Sequence, residues 1–451
     1  VKYATGLAEA IKDYLDILGS RARVLKIIKD ELADFKNRYA VPRRSEFMEA
    51  DLDLEDEAFI EREDMIVMVT HGGYVKRTAL SAYRTQNRGG KGRGGMETKE
   101  DDFVTRLFAA NTHTEILFFS STGMAYKQKV WRLPEGAPNA RGKALVNILP
   151  LQSGERITSV MPLPESEEER ARLNILFATR SGGVRRNMLA DFVSVNRTGK
   201  IAMKLESEGD AIVDVRLCAP EDDVLLTTAL GQCIRFPVEQ VRVFTGRTST
   251  GVRGIKLGAG DELIGMSVLG QIDVTPAEAR AYLKRANAAR RAEGEEGVEE
   301  TDEEVDTGSD GEEAAPAANG EAGEVELSED RFNHLAKAEQ FILTLTQEGM
   351  GKRASAFDYR RTGRGGKGLI AHRLPKEGRL VASFPVAEAD EIMVVTDAGQ
   401  LIRCAVDQIR IAGRATQGVR VLRVAAGERV VSVERLEDQG GDEAAGKTGG
   451  G

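Results

Sequence analysis

A short motif that recurs six times along the chain constrains the fold more than any other feature. In each copy an apolar run ends in Thr or Ser, a glycine follows three residues later, and a lysine or arginine follows the glycine by four residues. Self-similarity of this kind predicts a repeat architecture. The glycines are Gly73, Gly123, Gly182, Gly231, Gly349 and Gly399, and the cations are Arg77, Lys127, Arg186, Arg235, Arg353 and Arg403.

The spacing of the motif defines six units. Successive glycines are 50, 59, 49, 118 and 50 residues apart, and the long gap contains residues 272–338, which resemble no other part of the chain. We interpret that gap as one ordinary unit with an insertion. Each unit opens on an apolar run such as Ile66–Val69 and continues through a glycine turn into a second strand, and two further strands are indicated. Four short strands repeated six times predict an all-β fold of six propeller-like blades.

The flanking segments differ from the repeat. Residues 1–45 have the spacing of amphipathic helices, with a break at Gly19, Ser20 as the expected N-cap and a stripe that fits the end of a coiled-coil arm. Packing of this helix on the following domain is the alternative. Because the chain starts inside this pattern without Met, we expect it to be part of a longer protein. The other predicted boundaries are an acidic linker at 46–63, blades one to four at 64–271, an insertion with a basic helix and an acidic disordered run at 272–338, blades five and six at 339–438, and a flexible tail at 439–451.

The charge is unevenly distributed. The net charge is −9, yet residues 293–330 hold 17 Asp or Glu and no Lys or Arg, so the rest of the chain carries +8. A polyanionic partner is therefore compatible with the blades. The three cysteines are scattered and the four histidines lack metal-ligand spacing, so we expect neither disulfides nor a metal site. We also expect no membrane span and a cytoplasmic location.

A second pattern places a glycine beside a cation 17 to 20 residues after each turn glycine. The pairs are Gly90-Lys91, Gly142-Lys143, Gly199-Lys200, Gly251 with Arg253, Gly366-Lys367 and Gly418 with Arg420. The form in unit one, QNRGGKG followed by Arg93, combines glycines that allow close backbone approach with cations that bind phosphate. A disordered Arg-Gly tract of the RNA-binding kind is the alternative, although a fixed place within a repeat argues against it.

These residues resemble a known family. QNRGGKG is similar to the box Gln-Arg-Arg-Gly-Gly-Lys-Gly of the C-terminal domain of the A subunit of bacterial DNA gyrase, and ANTHTEILFFSSTG, TSTGVRGIKLG and VTDAGQLIR resemble its blades. The resemblance implies a six-bladed β-pinwheel, in which strands are exchanged between neighbouring blades, with a rim that wraps duplex DNA in a positive sense. It implies a DNA-binding box of Gln86, Asn87, Arg88, Gly89, Gly90, Lys91, Gly92 and Arg93, in which Asn87 replaces the usual Arg.

The resemblance also implies a rim of phosphate-binding cations. From the two patterns we predict these to be Lys76, Arg77, Lys127, Lys129, Arg141, Lys143, Arg185, Arg186, Lys200, Arg235, Arg253, Lys352, Arg353, Arg364, Lys367, Arg403 and Arg420. Contacts to phosphate carry no sequence information, so we expect binding without sequence preference and with a steep dependence on salt.

The family provides the remaining expectations. The chain is not an enzyme alone, because the DNA-cleaving tyrosine of the family lies upstream, and it has no cofactor of its own. The whole enzyme is an ATP-dependent type IIA topoisomerase that uses ATP and Mg²⁺. The expected partners are duplex DNA, the rest of the gyrase A subunit, which forms a dimer, and the gyrase B subunit, which completes an A2B2 heterotetramer. The acidic run at 293–330 is interpreted as a solvated loop or, more sharply, as an internal competitor of DNA.

Two other functions remain open. The C-terminal domain of the topoisomerase IV A-type subunit would bend DNA without strong wrapping, but its boxes are degenerate, whereas units one and five here carry QNRGGKG and RTGRGGKG. A propeller that serves as a protein-binding scaffold belongs to a different class. It predicts that residue types on the rim vary from blade to blade, whereas a cation recurs at the same position of all six units.

Overall fold

The computed structural model describes residues 2–41, 57, 59–82, 102, 104–137, 139–196, 198–246, 249–292, 326–398, 400–425 and 427–436. The chain divides into two compact units, Val1–Phe59 and Ile60–Gly451.

The first compact unit contains two helices, α1 (Lys2–Gly19) and α2 (Arg21–Tyr39). Ser20 separates them in an extended conformation, and its hydroxyl accepts a hydrogen bond from the Arg23 N–H, as the sequence predicts for an N-cap. The apolar stripe is exposed, with Leu15 64% and Leu32 64% accessible. The helical prediction is confirmed, and the coiled-coil partner stays a prediction.

The second compact unit is built from short antiparallel strands. Each apolar run is buried, and each is followed by its glycine turn and a second strand. The strands are β1 (Asp64–Thr70), β2 (Tyr74–Ala79), β3 (Val104–Asn111), β4 (Glu115–Ser120), β5 (Met124–Lys129), β6 (Lys143–Ala144), β7 (Ile157–Pro162), β8 (Asn174–Thr179), β9 (Gly183–Met188), β10 (Lys200–Ile201), β11 (Ile212–Cys218), β12 (Asp223–Thr228), β13 (Gln232–Pro237), β14 (Val252–Arg253), β15 (Leu263–Leu269), β16 (Phe341–Thr346), β17 (Met350–Ser355), β18 (Leu369–Ile370), β19 (Leu380–Val386), β20 (Glu391–Thr396), β21 (Leu401–Ala405), β22 (Val419–Arg420) and β23 (Val430–Leu436).

Six sheets form the blades, and strands are exchanged between them. The order in the first sheet is β3-β1-β2-β6, and its fourth strand, β6, comes from unit two. The next four sheets repeat this arrangement with β10, β14, β18 and β22, and the sixth sheet has three strands, β21-β20-β23, within the described residues. The expected exchange of strands between neighbouring blades is present. We call β6, β10, β14, β18 and β22 the exchanged strands.

The last strand of each unit lies nearest the centre. These strands are β3, β7, β11, β15, β19 and β23. Strand β11 contacts β7 and β15, β15 contacts β19, β19 contacts β23, and β23 contacts β3. Apolar clusters fill the space between successive blades, for example where the rings of Phe119, Phe177 and Phe192 pack with centroids 5.4 to 5.7 Å apart. In each four-stranded sheet the last strand of the unit is innermost, and the exchanged strand is at the opposite edge. The exchanged strands therefore form the perimeter.

The Thr or Ser of the repeated motif closes each glycine turn. In unit one the Thr70 hydroxyl accepts a hydrogen bond from the Tyr74 N–H at 3.1 Å, and Ser120, Thr179, Thr228, Thr346 and Thr396 make the equivalent bond. Gly73 has φ +76°, a conformation that side chains disfavour. The first part of the motif is therefore a turn signal.

The insertion between blades four and five folds in part. Helix α4 (Pro276–Ala292) is the basic helix that the sequence predicts, and it packs against α5 (Glu329–Ala338), which the sequence analysis missed. A short α3 (Glu167–Arg172) lies elsewhere, in unit three. Tyr282 and Leu335 bury their side chains against Phe357 of blade five, so the helix pair is docked on that blade. The predicted acidic disordered run lies outside the described residues, apart from its last residues in and just before α5.

Candidate nucleic-acid interface

The exchanged strands form the candidate interface because they are the outermost strands of their sheets. Each is two residues long and enters the preceding blade in one register. The first residue pairs with the residue two positions after the turn glycine, as Lys143 does with Val75 and Lys200 with Ala125. Strands β14, β18 and β22 follow the same rule.

A glycine with positive φ precedes each exchanged strand. These glycines are Gly142, Gly199, Gly251, Gly368 and Gly418, with φ between +71° and +98°. A Cβ on Gly368 would lie 2.1 Å from the Cys233 carbonyl oxygen, so no side chain fits there. The structure thus corrects one alignment from the sequence: in unit five Gly368, not Gly366, occupies the shared position. With Gly368, the distance from the turn glycine is 19 residues, as in units two and six.

Six of the predicted rim cations are exposed. Arg253 and Arg420 lie on exchanged strands, as does Lys143, and Arg364 and Lys367 lie in the loop before β18. The sixth, Arg403, is paired with Glu391, with 2.6 Å between Nε and Oε2. Five more predicted cations are half-buried: Arg77, Lys127, Lys129, Arg141 and Lys200.

The remaining six predicted rim cations are buried, and their burial disfavours the predicted contact with phosphate. Exposed fractions are 0% for Lys76, Arg185 and Lys352, 4% for Arg353, 7% for Arg186 and 8% for Arg235. The three side chains without accessible surface offer no atom to a phosphate on the outside of the ring. Five of the six donate side-chain hydrogen bonds within the fold, namely Lys76, Arg185, Arg235, Lys352 and Arg353.

Lys352 shows this use most completely. Its Nζ donates hydrogen bonds to the carbonyl oxygens of Gly413 (2.8 Å) and Thr416 (2.7 Å) and to that of Arg414. Those residues lie just before β22, the strand that unit six contributes to the fifth blade. In units one and three, Lys76 and Arg185 likewise donate to carbonyls of the following unit's loop.

In four of the six units, the cation four residues after the turn glycine has the same role. Arg235 Nη1 donates to the Ala356 carbonyl of the next unit at 2.7 Å, and its Nε donates to Asp223 at 2.9 Å. Arg77, Lys127 and Arg353 donate to carbonyls of the next unit in the same way. We call Arg77, Lys127, Arg235 and Arg353 clasp residues because each holds the loop that carries an exchanged strand. The repeated cation of the first motif is thus structural in units one, two, four and five.

Burial changes the titration of this region. Desolvation lowers the pKa of the Lys352 ammonium from 10.5 to about 7, and burial also lowers the pKa of the Arg185 guanidinium. His372 lies beside Lys352, with its Nδ1 3.0 Å from the Thr344 hydroxyl oxygen, and burial lowers its pKa to about 3. His372 is therefore neutral at physiological pH.

The loop of unit five rests on the exchanged strand of unit four. Arg364 Nη1 donates to the Arg253 carbonyl at 3.1 Å, the Gly365 N–H donates to Gly254, and the Lys256 N–H donates to Gly366 at 2.8 Å. These bonds join cationic segments of the two units, one through the Arg364 side chain and two between backbone groups. The arrangement holds exposed guanidinium and ammonium groups next to one another on the perimeter.

The sequence analysis missed a set of exposed cations that share one position of the repeat: Lys204, Lys256, Arg373 and Arg423. Each follows the positive-φ glycine of its unit by five residues. That spacing is visible in the sequence, but it becomes a pattern only when Gly368 replaces Gly366 in the alignment.

Some predictions cannot be compared with the fold. The box Gln86–Arg93 lies outside the described residues, as does the turn residue Gly399. In the part of the chain that is described, no cluster of three or more His, Cys, Asp or Glu could hold a metal ion. No described helix combines the length and the hydropathy that crossing a membrane requires.

The chain is similar to known proteins over nearly its whole length. The sequence profile described as "DNA gyrase C-terminal domain, beta-propeller" matches residues 64–111, 114–164, 173–219, 222–269, 340–387 and 390–437, which are the six units. The A subunit of DNA gyrase from Granulibacter bethesdensis is 47% identical over 97% of the chain, and that from Haemophilus influenzae is 36% identical over 98%. The chain spans 46% of the length of each of these relatives.

Solved structures show the same fold. The C-terminal domain of a DNA topoisomerase IV superposes with a TM-score of 0.61 at 22% identity, covering 84% of this chain and 95% of that one. A DNA gyrase A C-terminal domain superposes with a TM-score of 0.53 at 20% identity, covering 83% and 100%. The six matched units, the exchanged strands and the relatives among gyrase A subunits together establish that this chain belongs to the DNA gyrase C-terminal domain family of β-propellers.

Proposed function

We propose that this chain binds duplex DNA along the perimeter of its blades, bends it, and wraps it in a positive sense without sequence preference. The observation that carries the proposal is the presence of exposed cations on or beside the outermost strands of successive blades, including Lys143, Arg253, Lys367 and Arg420. Cations arranged along a curved edge neutralise successive phosphates of a duplex that follows the curve.

The buried cations support this function indirectly. A rim that bends DNA must resist the elastic force of the duplex, since bending 20–30 base pairs by 40–90° costs about 1–6 kcal/mol. Lys352 and the clasp residues fix the loops that carry the exchanged strands, so the exposed cations are held in place before DNA binds. Outer cations thus contact phosphate, whereas inner cations hold the loops that carry the exchanged strands.

We also assign DNA binding to the box Gln86, Asn87, Arg88, Gly89, Gly90, Lys91, Gly92 and Arg93. The support is its shared sequence with unit five, where Gly365-Gly366-Lys367-Gly368 repeats the GGKG of the box. In unit five this sequence presents an exposed lysine directly before an exchanged strand. Removing the box should weaken wrapping more than removing any one rim cation.

In the whole protein, this domain would present a DNA segment for strand passage, so that gyrase introduces negative supercoils. The relatives of this chain are roughly twice its length, and they are named as A subunits of gyrase. We infer partners that are the rest of a dimeric gyrase A subunit, together with the gyrase B subunit, and the assembled cytoplasmic enzyme would use ATP and Mg²⁺. Catalysis would belong to those parts, and the function of this chain would be binding alone.

Closure of a nicked circular plasmid by ligase tests the proposal. Increasing amounts of the chain are added before ligation, and the linking number is measured after the protein is removed. A protein-dependent shift to positive linking number is the expected result. Absence of DNA binding at low salt would refute the proposal and favour the protein-binding scaffold.

The same assay separates the second candidate, a topoisomerase IV type of C-terminal domain. The topoisomerase IV neighbour shows that this fold is shared between the two enzymes. Binding without a shift in linking number would mean that the chain bends DNA without chiral wrapping, as expected for that candidate. The gyrase function is favoured because the similar full-length relatives are gyrase A subunits.

A further inference from the structure

Among the described exchanged strands and the residues after them, one position carries a cation in every unit where the backbone follows a common path. Counted from the first residue of the exchanged strand as one, it is the fifth residue. The residues there are Lys204 in unit three, Lys256 in unit four, Arg373 in unit five and Arg423 in unit six. None of them belonged to the predicted rim.

The backbone path at this position is fixed by hydrogen bonds. In unit four the N–H groups of Gly254 and Ile255 both donate to the carbonyl of the turn glycine Gly182. Units three, five and six repeat this double bond to Gly123, Gly231 and Gly349. The chain therefore crosses the end of the turn in the same way in four units.

Burial alternates after that crossing. The fourth residue is buried in all four units, as Ile255 and Leu422 are, and the sixth is half-buried, as Leu257 and Val424 are. Alternation in an extended segment directs the residue between them outward. Lys204, Lys256, Arg373 and Arg423 are accordingly all exposed.

Unit two differs in both respects. There a 3-10 turn, Leu145–Asn147, replaces the extended crossing, and Val146 is exposed where the other units bury a side chain. The fifth residue is Asn147, which has no charge. The cation thus occurs where the backbone holds it outward and is missing where the path changes.

General solubility does not explain this choice of charge. Asp and Glu outnumber Lys and Arg in the chain, 72 to 63. Every charged residue at the fifth position is nevertheless a cation. Among the described residues, none of the four cations has an ion-pair partner. A row of outward cations without carboxylate partners matches a polyanion.

We propose that Lys204, Lys256, Arg373 and Arg423 form a second row of phosphate-binding cations, and that the two rows hold the two strands of one duplex across a groove. The first row is on the exchanged strands, at Lys200, Arg253 and Arg420. Arg253 and Lys256 are three residues apart, as are Arg420 and Arg423, so their Cα atoms are at most about 10 Å apart. The grooves of B-DNA are about 6 and 12 Å wide, so rows at this separation reach phosphates on both strands.

This inference rests on the proposed function, and a matched pair of variants tests it. The second-row variant combines Lys204→Ala, Lys256→Ala, Arg373→Ala and Arg423→Ala. The control combines Lys12→Ala, Lys26→Ala, Arg172→Ala and Lys337→Ala, four exposed cations on helices outside the blades. Both remove four charges from exposed positions, and circular dichroism verifies that both stay folded.

The readout is the salt dependence of binding to duplex and to single-stranded DNA. Each phosphate contact contributes about 0.9 to the slope of log K against log salt for a duplex and about 0.7 for a single strand. For duplex DNA we expect the second-row variant to lose about 3 to 4 in slope, with the control close to wild type. For single-stranded DNA, which engages one row at a time, the loss should be less than half as large.

Three outcomes would overturn the inference. If the second-row variant matches the control on duplex DNA, these cations do not contact phosphate. If it loses the same number of contacts on duplex and single-stranded DNA, the rows follow one strand and not two. If wild-type chain itself fails to bind duplex DNA, the proposed function fails first, and that result is visible before any variant is compared.

Discussion

Substitution of Lys352 by methionine is the sharpest test of the distinction between inner and outer cations. The sequence places Lys352 among the DNA-binding residues, whereas the structure buries it completely and gives it carbonyl partners in Gly413, Arg414 and Thr416. Methionine has a similar length and is apolar. The Lys352→Met variant therefore removes the donor while it keeps the volume filled.

The magnitude follows from the groups left behind. A hydrogen bond from a charged donor contributes about 1.5–3 kcal/mol, and Lys352 donates one to each of three carbonyls, of which those of Gly413 and Thr416 keep a second donor. Part of this cost is offset because the ammonium is no longer desolvated, a penalty of several kcal/mol. We expect a net loss of about 3 kcal/mol in the free energy of unfolding, which changes the unfolding equilibrium by roughly 100-fold.

Urea unfolding and DNA binding together provide the assay. The urea midpoint of Lys352→Met should fall, while the slope of log K for DNA against log salt should stay at the wild-type value under conditions where the variant is folded. The control is Arg420→Ala, an exposed cation on β22. It should keep the urea midpoint and lose about 0.9 in slope. Wild-type stability with a reduced slope for Lys352→Met would refute the assignment of Lys352 to the interior.

Three further predictions concern the exchanged strands, acid stability and the insertion. Gly368→Ala places a Cβ 2.1 Å from the Cys233 carbonyl oxygen at φ +82°, so the free energy of unfolding in a urea titration should fall by more than about 2 kcal/mol. The control Gly363→Ala, whose Cβ would have nothing within 4 Å, should have little effect in the same titration. Because the pKa of His372 is about 3 when folded and 6.5 when unfolded, the unfolded state binds the extra proton between these values and stability falls as pH is lowered through that range. At pH 5 the loss should be about 2 kcal/mol, and a His372→Gln variant that retains the full acid sensitivity of wild type would contradict this. Deletion of residues 293–325, which leaves α4 and α5 in place, should tighten DNA binding at moderate salt if the acidic run competes with DNA, and an unchanged affinity would end that hypothesis.

The sequence was sufficient to predict the blades because the signals involved are local. A glycine with positive φ and a Thr or Ser hydroxyl that bonds to the Tyr74 N–H, or its equivalent, act within five residues. Such a turn forms the same way in every unit, so the repeat is visible without any tertiary information. Helix α4 was predicted for the same reason, from local periodicity. Helix α5 was missed because it is short and follows directly on an acidic run.

The candidate interface was predicted only in part. A lysine on a second strand and a lysine before an exchanged strand look alike in sequence, as Lys352 and Lys367 do. One is 0% exposed and the other lies on the surface. The difference depends on the loop of the following unit, which covers the first and leaves the second outside.

The sequence by itself determined the number of units, the turn in each, the insertion and the family, since these depend on short-range chemistry repeated along the chain. Only the tertiary structure decided which cations face the perimeter. That outcome depends on strand exchange, in which a segment distant in sequence enters a neighbouring blade and buries side chains such as Lys352. Lys352 and its partners Gly413 and Thr416 are about 60 residues apart, so no local pattern could reveal that this charge is used to hold the fold.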